Sequence, residues 1–303
     1  MTFEHQGLLL RRGRRSSTAV GERLRSTVRA GVRTVLAVTD PAALLDGLAP
    51  AERDRIEVIE RDTLYDAPGR ALAALHRMAL LHGSVSVVAE PPLLPSDGLE
   101  GREWHRMESV LSTALAPMDM SLLCVHDEQW LRPGNRSAVL ATHPMLLGTR
   151  TARPNPDYRG TEAFGRRVRA PEPMAVTGPS HRLEICPSLP RLREDLGDLG
   201  RLLGLADGLV DGLVVAVNEL AANVLEHGAG KGTVQVWRGP DRWVCDVFDE
   251  RGGLTDPLAG YRPADSLRPR GYGLWITRQI CDYMEICGNR DGSLVRLHFV
   301  DRV

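Results

Sequence analysis

A carboxylate and a carboxamide stand one helical turn apart in the otherwise mostly apolar run Val217-Asn218-Glu219-Leu220-Ala221-Ala222-Asn223-Val224-Leu225-Glu226-His227-Gly228. The i, i+4 spacing puts Glu219 and Asn223 on one face of a helix. Glu219 has the chemistry of a general base, and Asn223 offers a hard oxygen to Mg²⁺. Two later segments supply what such a pair lacks. Asp249 ends an apolar strand pattern and runs into Gly252 and Gly253. Its carboxylate can accept a hydrogen bond from an exocyclic amine such as that of adenine, and the glycines allow a backbone to approach a ligand closely. The run Arg270-Gly271-Tyr272-Gly273-Leu274-Trp275 places glycines at the opening of a helix. Backbone N–H groups there form an anion site, with Arg270 beside it for a terminal phosphate.

The elements that must position these residues follow from periodicity. From residue 179 onward the pattern predicts a strand at His181–Cys186, helices at 188–203 and 208–227, and strands at Thr233–Trp237 and Trp243–Phe248. A helix from Tyr272 to Tyr283 and strands Met284–Cys287 and Leu294–Val300 close the chain. Grouped helices and strands joined by tight turns such as Gly239-Pro240-Asp241 imply an α+β two-layer sandwich over 179–303. Residues 1–148 read differently. Strands at Gly7–Leu10, Thr34–Thr39, Ile56–Ile59, Val85–Ala89 and Leu122–Val125 alternate with helical patterns near 18–30, 67–82, 100–116 and 136–142. That is the mark of an α/β domain with a mostly parallel sheet buried on both faces. Asp40, Glu90 and His126-Asp127 fall at the carboxyl ends of its strands, but no Walker-type glycine loop follows any of them. Residues 149–178, rich in Pro, Gly and Arg, read as an interdomain linker.

Composition excludes several classes. The 303 residues are 43% hydrophobic and 25% charged with a net charge of −1, which gives no electrostatic reason for direct nucleic-acid binding. No apolar run reaches the roughly 18 residues of a membrane span and no signal-like segment opens the chain, so a cytoplasmic protein without a membrane partner is expected. The five cysteines lack Cys-x-x-Cys spacing and read as reduced, mostly buried thiols.

Taken in order, Asn218-Glu219-x-x-x-Asn223 with His227-Gly228, Asp249 to Gly253, Gly271-x-Gly273 and Gly292-Ser293-x-Val295-Arg296 resemble the ATP-binding domain of the GHKL superfamily. This is the Bergerat fold of histidine kinases, gyrase and anti-sigma-factor kinases. The resemblance spans about 180–300 and implies ATP and Mg²⁺ as ligands. It implies Asn223 on Mg²⁺, Asp249 on the adenine amine, and Gly252, Gly253, Arg270, Gly271, Gly273 and Ser293 around the nucleotide under a lid of residues 254–270. In the anti-sigma-factor kinase branch, Glu219 would be the base that activates a partner's serine hydroxyl. One departure stands out: Glu250-Arg251 separates Asp249 from the first glycine, a one-residue shift from Asp-x-Gly-x-Gly. His227 reads as a helix-terminal residue near unpaired carbonyls, and no helix carrying a phosphoacceptor histidine precedes the domain.

The N-terminal half has its own resemblance. His5-Gln6-Gly7, Val35-Leu36-Ala37-Val38, Val88-Ala89-Glu90-Pro91-Pro92, Trp104-His105-Arg106-Met107-Glu108, Leu123-Cys124-Val125-His126-Asp127 and Ala141-Thr142-His143-Pro144 are similar to the MEDS sensory domain of methanogen and methylotroph regulators. The resemblance implies a small-molecule ligand, with His5, Glu90, His105 and His126 as candidate sensory residues. The combined expectation is a regulator whose sensory domain gates an anti-sigma-factor-like serine-protein kinase acting on a sigma factor or a STAS-type anti-anti-sigma protein. Two alternatives stand beside it, a non-catalytic nucleotide-dependent switch that sequesters a sigma factor and an atypical sensor histidine kinase. A homodimer is common in this kinase branch, although no sequence feature specifies one.

Overall fold

The computed structural model describes residues 3–10, 14–95, 97–148, 151–164, 171, 173–251, 253–262, 272–288 and 292–301. They fall into two compact units, Met1–Asp66 with Arg70–Phe164, and Gly165–Val303 with Ala67–Gly69.

The first unit runs β1 (Glu4–Leu10), α1 (Arg14–Arg29), β2 (Arg33–Ala37), α2 (Pro41–Leu45), α3 (Pro50–Arg53), β3 (Ile56–Val58), α4 (Arg61–Leu64), α5 (Pro68–His82), β4 (Val85–Ala89), α6 (Leu99–Ala114), β5 (Met120–Asp127), α7 (Pro133–Thr142), β6 (Met145–Leu147), β7 (Ala152–Pro154) and α8 (Thr161–Phe164). Its seven strands lie in the order β3-β2-β4-β5-β1-β6-β7. Every pairing is parallel except β6 with β7. Val20, Leu24 and Val28 make one stripe of α1 and bury against Leu36, Val88 and Leu123. All five residues of β4 are buried, as expected of a strand covered on both faces.

Asp40 is a helix cap. Its Oδ1 accepts from Ala43 N at 3.2 Å, just before a proline in the first turn of α2. The segment read as a linker also holds regular structure. The strand β7 pairs with β6, and the Asn155 carboxamide donates to Leu140 O at 2.6 Å and His143 O at 2.7 Å, so the chain through Phe164 belongs to the first unit. A three-residue strand and a four-residue helix are too short to leave a periodic signal.

The second unit runs β8 (Ser180–Ile185), α9 (Leu189–Leu202), α10 (Asp207–His227), β9 (Gly232–Arg238), β10 (Arg242–Asp249), α11 (Gly273–Ile280), β11 (Tyr283–Gly288) and β12 (Ser293–Val300). Its sheet is antiparallel throughout, in the order β11-β12-β10-β9-β8. The turn between β9 and β10 closes with Gly239 N donating to Arg242 O at 2.8 Å. Alternate residues Val234, Val236, Cys245, Val247, Val295 and Leu297 face one side. There they meet Leu192 and Leu196 of α9 and Leu213, Val217, Leu220 and Val224 of α10, which makes the two-layer sandwich. The 21-residue α10 is, by length and a mean hydropathy of 1.5, apolar enough to cross a membrane. Its apolar stripe is instead the spine of this core.

Candidate functional site

The carboxyl-terminal turns of α10, the end of β10, the start of α11 and the start of β12 enclose a cavity of about 450 Å³. That lies within the range of small-molecule sites. Leu220, Val224, Val247 and Val295 give it apolar walls, while Asn223, Asp249, Gly273 and Ser293 bring polar groups to it. With Gly253, which also lines it, five of the nucleotide-site residues singled out in the sequence meet in one place. A Cβ built on Gly273 would lie 3.0 Å from Glu219 Oε2 and 3.4 Å from Asn223 Nδ2. The i, i+4 pair thus does share a face, and that face is set against the glycine that opens α11. Glu219 itself does not line the cavity. Asn218 is turned elsewhere, its carboxamide oxygen accepting from Arg193 Nη1 at 2.8 Å to tie α10 to α9.

Asp249 is fixed by the backbone around it. Its Oδ1 accepts from Ala229 N and from Arg251 N, both at 2.9 Å. The bond to residue i+2 is an Asx turn, formed where the glycine box departs from the usual spacing. The positive φ of 133° falls at Gly253. Glu250 takes no part in this, because it pairs with Lys231 at 2.6 Å. Ser293 accepts from Leu254 N at 3.1 Å and donates to Arg251 O at 3.3 Å. It holds the turn to β12 as well as lining the cavity. Gly228 leaves room for the carboxylate, since a Cβ there would come within 2.6 Å of Asp249 Cγ.

Gly252, Arg270 and Gly271 lie outside the described residues, as do 263–269 of the expected lid. Its first part is anchored. Arg278, buried in α11, donates from Nε to Ala259 O at 2.7 Å, from Nη2 to Pro257 O at 3.0 Å and from Nη1 to Met284 O at 3.2 Å. Its guanidinium lies 3.8 Å from the centre of the Tyr261 ring. Residues 257–261 are therefore a strap clamped to α11, which forms the first part of the stretch expected as a lid. Sequence reasoning missed Arg278 because an arginine in the last turn of a helix usually serves the helix dipole.

His227 is exposed at the end of α10 and lines the cavity mouth. The next residue, Gly228, caps the helix by donating to Asn223 O and Val224 O, both at 3.1 Å. The donor set suits the implied ligands: a carboxamide oxygen for Mg²⁺, an anchored carboxylate for an amine, and a glycine-opened helix for phosphate.

Of the sensory candidates in the first unit, His5 and His126 converge and Glu90 does not. The Glu90 carboxylate accepts from Thr39 N at 2.9 Å at the end of the sheet. His105 stacks on Phe164 with ring centres 5.4 Å apart. His5 and His126 instead flank His143, at ring separations of 4.3 and 5.3 Å. Cys124 and Glu108 complete the group, all of it buried. Burial first, and then the neighbouring imidazoles, hold His5 and His126 well below the usual histidine range. Burial takes His143 down to about 4 and Glu108 up to about 7. Cys124, Glu108 and His143 sit in sequence motifs already singled out, yet none was a candidate. The i, i+2 spacing of Cys124 and His126 on one strand face was the available signal.

Residues 186–299 match the family model described as a histidine kinase-like ATPase domain, so this part of the chain is a domain of that kind. The cavity described above lies within the matched stretch. No curated protein matches the chain. Among solved structures, one of the RsbU and RsbW domains of a Mycobacterium tuberculosis protein aligns at 15% identity and a TM-score of 0.32, covering 42% of this chain and 34% of that one. This chain thus spans about a third of that relative's length.

Proposed function

We propose that residues 179–303 bind Mg-ATP in the cavity and act as an anti-sigma-factor-like serine-protein kinase, gated by a small-ligand sensory domain at 1–148. The observation that carries the reading is the meeting of Asn223, Asp249 and Gly273 at one cavity, with Glu219 one turn before Asn223 beside the same glycine. In this reading Asp249 offers Oδ2 to the adenine amine while its Oδ1 stays on the backbone. Asn223 gives its oxygen to Mg²⁺, which neutralises charge on the phosphates. Gly273, with Gly271 and Arg270 before it, takes the phosphates. Glu219 receives the proton of a partner's serine as that oxygen attacks the γ-phosphorus and ADP leaves. The fitting partners are a sigma factor held in place or a STAS-type anti-anti-sigma protein that is phosphorylated.

Titration calorimetry of the full chain with Mg-ATP is the first test. Absence of binding by a folded protein refutes the proposal, and Asp249→Ala is expected to weaken binding while Glu219→Ala retains it. One observation favours a second reading, a nucleotide-dependent switch without catalysis: Glu219 stands outside the cavity lining. A kinase loses serine phosphorylation of its partner in Glu219→Ala. A switch phosphorylates nothing in either form, yet captures its partner in an ATP-dependent way. Acid-labile phosphate on the chain itself would instead indicate a histidine kinase.

A further inference from the structure

The group around His143 holds polar atoms that its surroundings do not use. His126 is 1% exposed, and neither of its ring nitrogens meets a hydrogen-bond partner among the described residues. His143 is fully buried, and its Nε2 is likewise unpartnered. Buried polar side chains are paired in the great majority of cases, so two rings with three orphan nitrogens, each ring placing a nitrogen within 4.8 Å of the Glu108 carboxylate, need an explanation. The tautomer of His143 sharpens it. A backbone oxygen can only accept, so the 2.7 Å contact with Val139 O fixes the proton on Nδ1 and turns the lone pair of Nε2 inward. That is how metal-binding imidazoles are oriented by their outer partners. Gly7 makes the arrangement possible, because a Cβ there would meet the His143 ring at 3.0 Å.

We propose that Glu108, His126 and His143 bind one divalent transition-metal ion of the zinc class, with Cys124 as the fourth ligand. Ligand atoms of the three lie within 4.8 Å of one another, and so do those of His5, Cys124 and His143. A tetrahedral shell with bonds of about 2.0–2.1 Å to nitrogen and oxygen sets such atoms about 3.3 Å apart, so small side-chain rotations close it. The two sets share His143, which has one free nitrogen, and this limits the site to a single ion. His5 then orients the sulfur, since its Nε2 lies 3.6 Å from Cys124 Sγ and its Nδ1 3.3 Å from Ser112 Oγ. A carboxylate and a thiolate balance the charge of a 2+ ion, and the mixed nitrogen, oxygen and sulfur set suits zinc over Mg²⁺. The ligands come from β5, α6 and the residue after α7, so the ion would pin both helices to the sheet. The proposal is independent of the nucleotide reading, because none of these residues belongs to the second unit.

The full chain, purified without chelator, is expected to carry about one equivalent of zinc by elemental analysis. After chelation and refilling with Co²⁺, it should show tetrahedral d–d bands and a thiolate charge-transfer band, the latter lost in Cys124→Ser. Glu108→Gln and His126→Gln should weaken metal affinity about 100-fold or more, whereas Glu90→Gln should leave it unchanged. Should a ligand variant fail to fold, the wild type's cobalt spectrum and its thermal shift on adding metal decide. A folded wild-type chain that takes up neither zinc nor cobalt at micromolar free metal overturns the proposal. So do ligand variants that hold metal as tightly as wild type.

Discussion

Gly228→Ala tests the placement of Asp249 through a cavity-lining residue that brings no side chain of its own to the site. The backbone at 228 has φ −93°, so alanine brings no left-handed strain, and the effect is steric. The new Cβ would stand 2.6 Å from Asp249 Cγ and 2.7 Å from Val224 O. Ordinary carbon contacts begin near about 3.5 Å, so the carboxylate must retreat by roughly 1 Å, the carbonyl of α10 being unable to. Two charge-assisted bonds of 2.9 Å, from Ala229 N and Arg251 N, then pass beyond hydrogen-bonding range. Allowing for partial exposure, their loss and the crowding together cost about 2–4 kcal/mol of stability. Removing the amine acceptor from the cavity costs a further charge-assisted bond to the ligand, about 10- to 100-fold in Mg-ATP affinity. Gly230→Ala is the control. Its φ of +74° makes any side chain cost about 1–2 kcal/mol, but nothing lies within 4 Å of the added carbon, so Asp249 stays in place. Calorimetry and thermal unfolding on the three proteins separate the effects. If Gly228→Ala binds Mg-ATP as tightly as wild type, Asp249 does not hold the base.

Arg278→Lys should release the strap, because one ammonium cannot reach the carbonyls of Pro257, Ala259 and Met284 together. A loss of about 2–3 kcal/mol and faster hydrogen exchange at Tyr261 N, now bonded to Leu258 O, are expected. Unchanged exchange at Tyr261 would mean that the strap is held by something else. Burial holds His105 down at about 4 against 6.5 in an unfolded chain, so below pH 6.5 the unfolded state takes up a proton that the fold refuses. Stability is therefore present above that pH and is lost as pH falls toward 4. In metal-free protein, His105→Gln should gain about 2 kcal/mol relative to wild type between pH 7 and pH 5 in urea titrations, and parallel curves would refute this.

The parts of the site that sequence could reveal are those encoded locally. Glu219 and Asn223 are four residues apart on one helix, and Asp249 ends an apolar strand, so spacing alone places them. The role of Gly228 is not local: it depends on β10 ending against the last turn of α10. Arg278 reads as a helix-terminal charge until the folded chain brings residues 257–261 over it. The histidine group is less legible still. His5 meets Cys124 because β1 lies parallel to β5 in a register that pairs Gly7 with Cys124, and His143 joins them only after α7 returns the chain to β1. The short strand β7 and the short helix α8 fall in a stretch whose prolines and glycines suggest a linker, although Asn155 binds that stretch to α7.

In the second unit the same helix serves the core and the cavity, and this bears on how any variant is read. Leu220 and Val224 line the cavity and also pack into the sandwich core, while Asn223 lies between them on the adjoining face. A mutation that loosens α10 will therefore weaken ligand binding without touching a ligand-binding atom. The converse also holds: a ligand seated against Asn223 and Asp249 joins α10 to β10 and stabilises the fold in proportion to its occupancy, by about 2.7 kcal/mol at a hundred times its dissociation constant. Asp249→Ala and Glu219→Ala thus carry meaning only beside their unfolding curves without nucleotide. A base acting on a partner's hydroxyl should leave both that curve and the ligand-induced shift intact, whereas a residue that braces α10 against Gly273 should change them together.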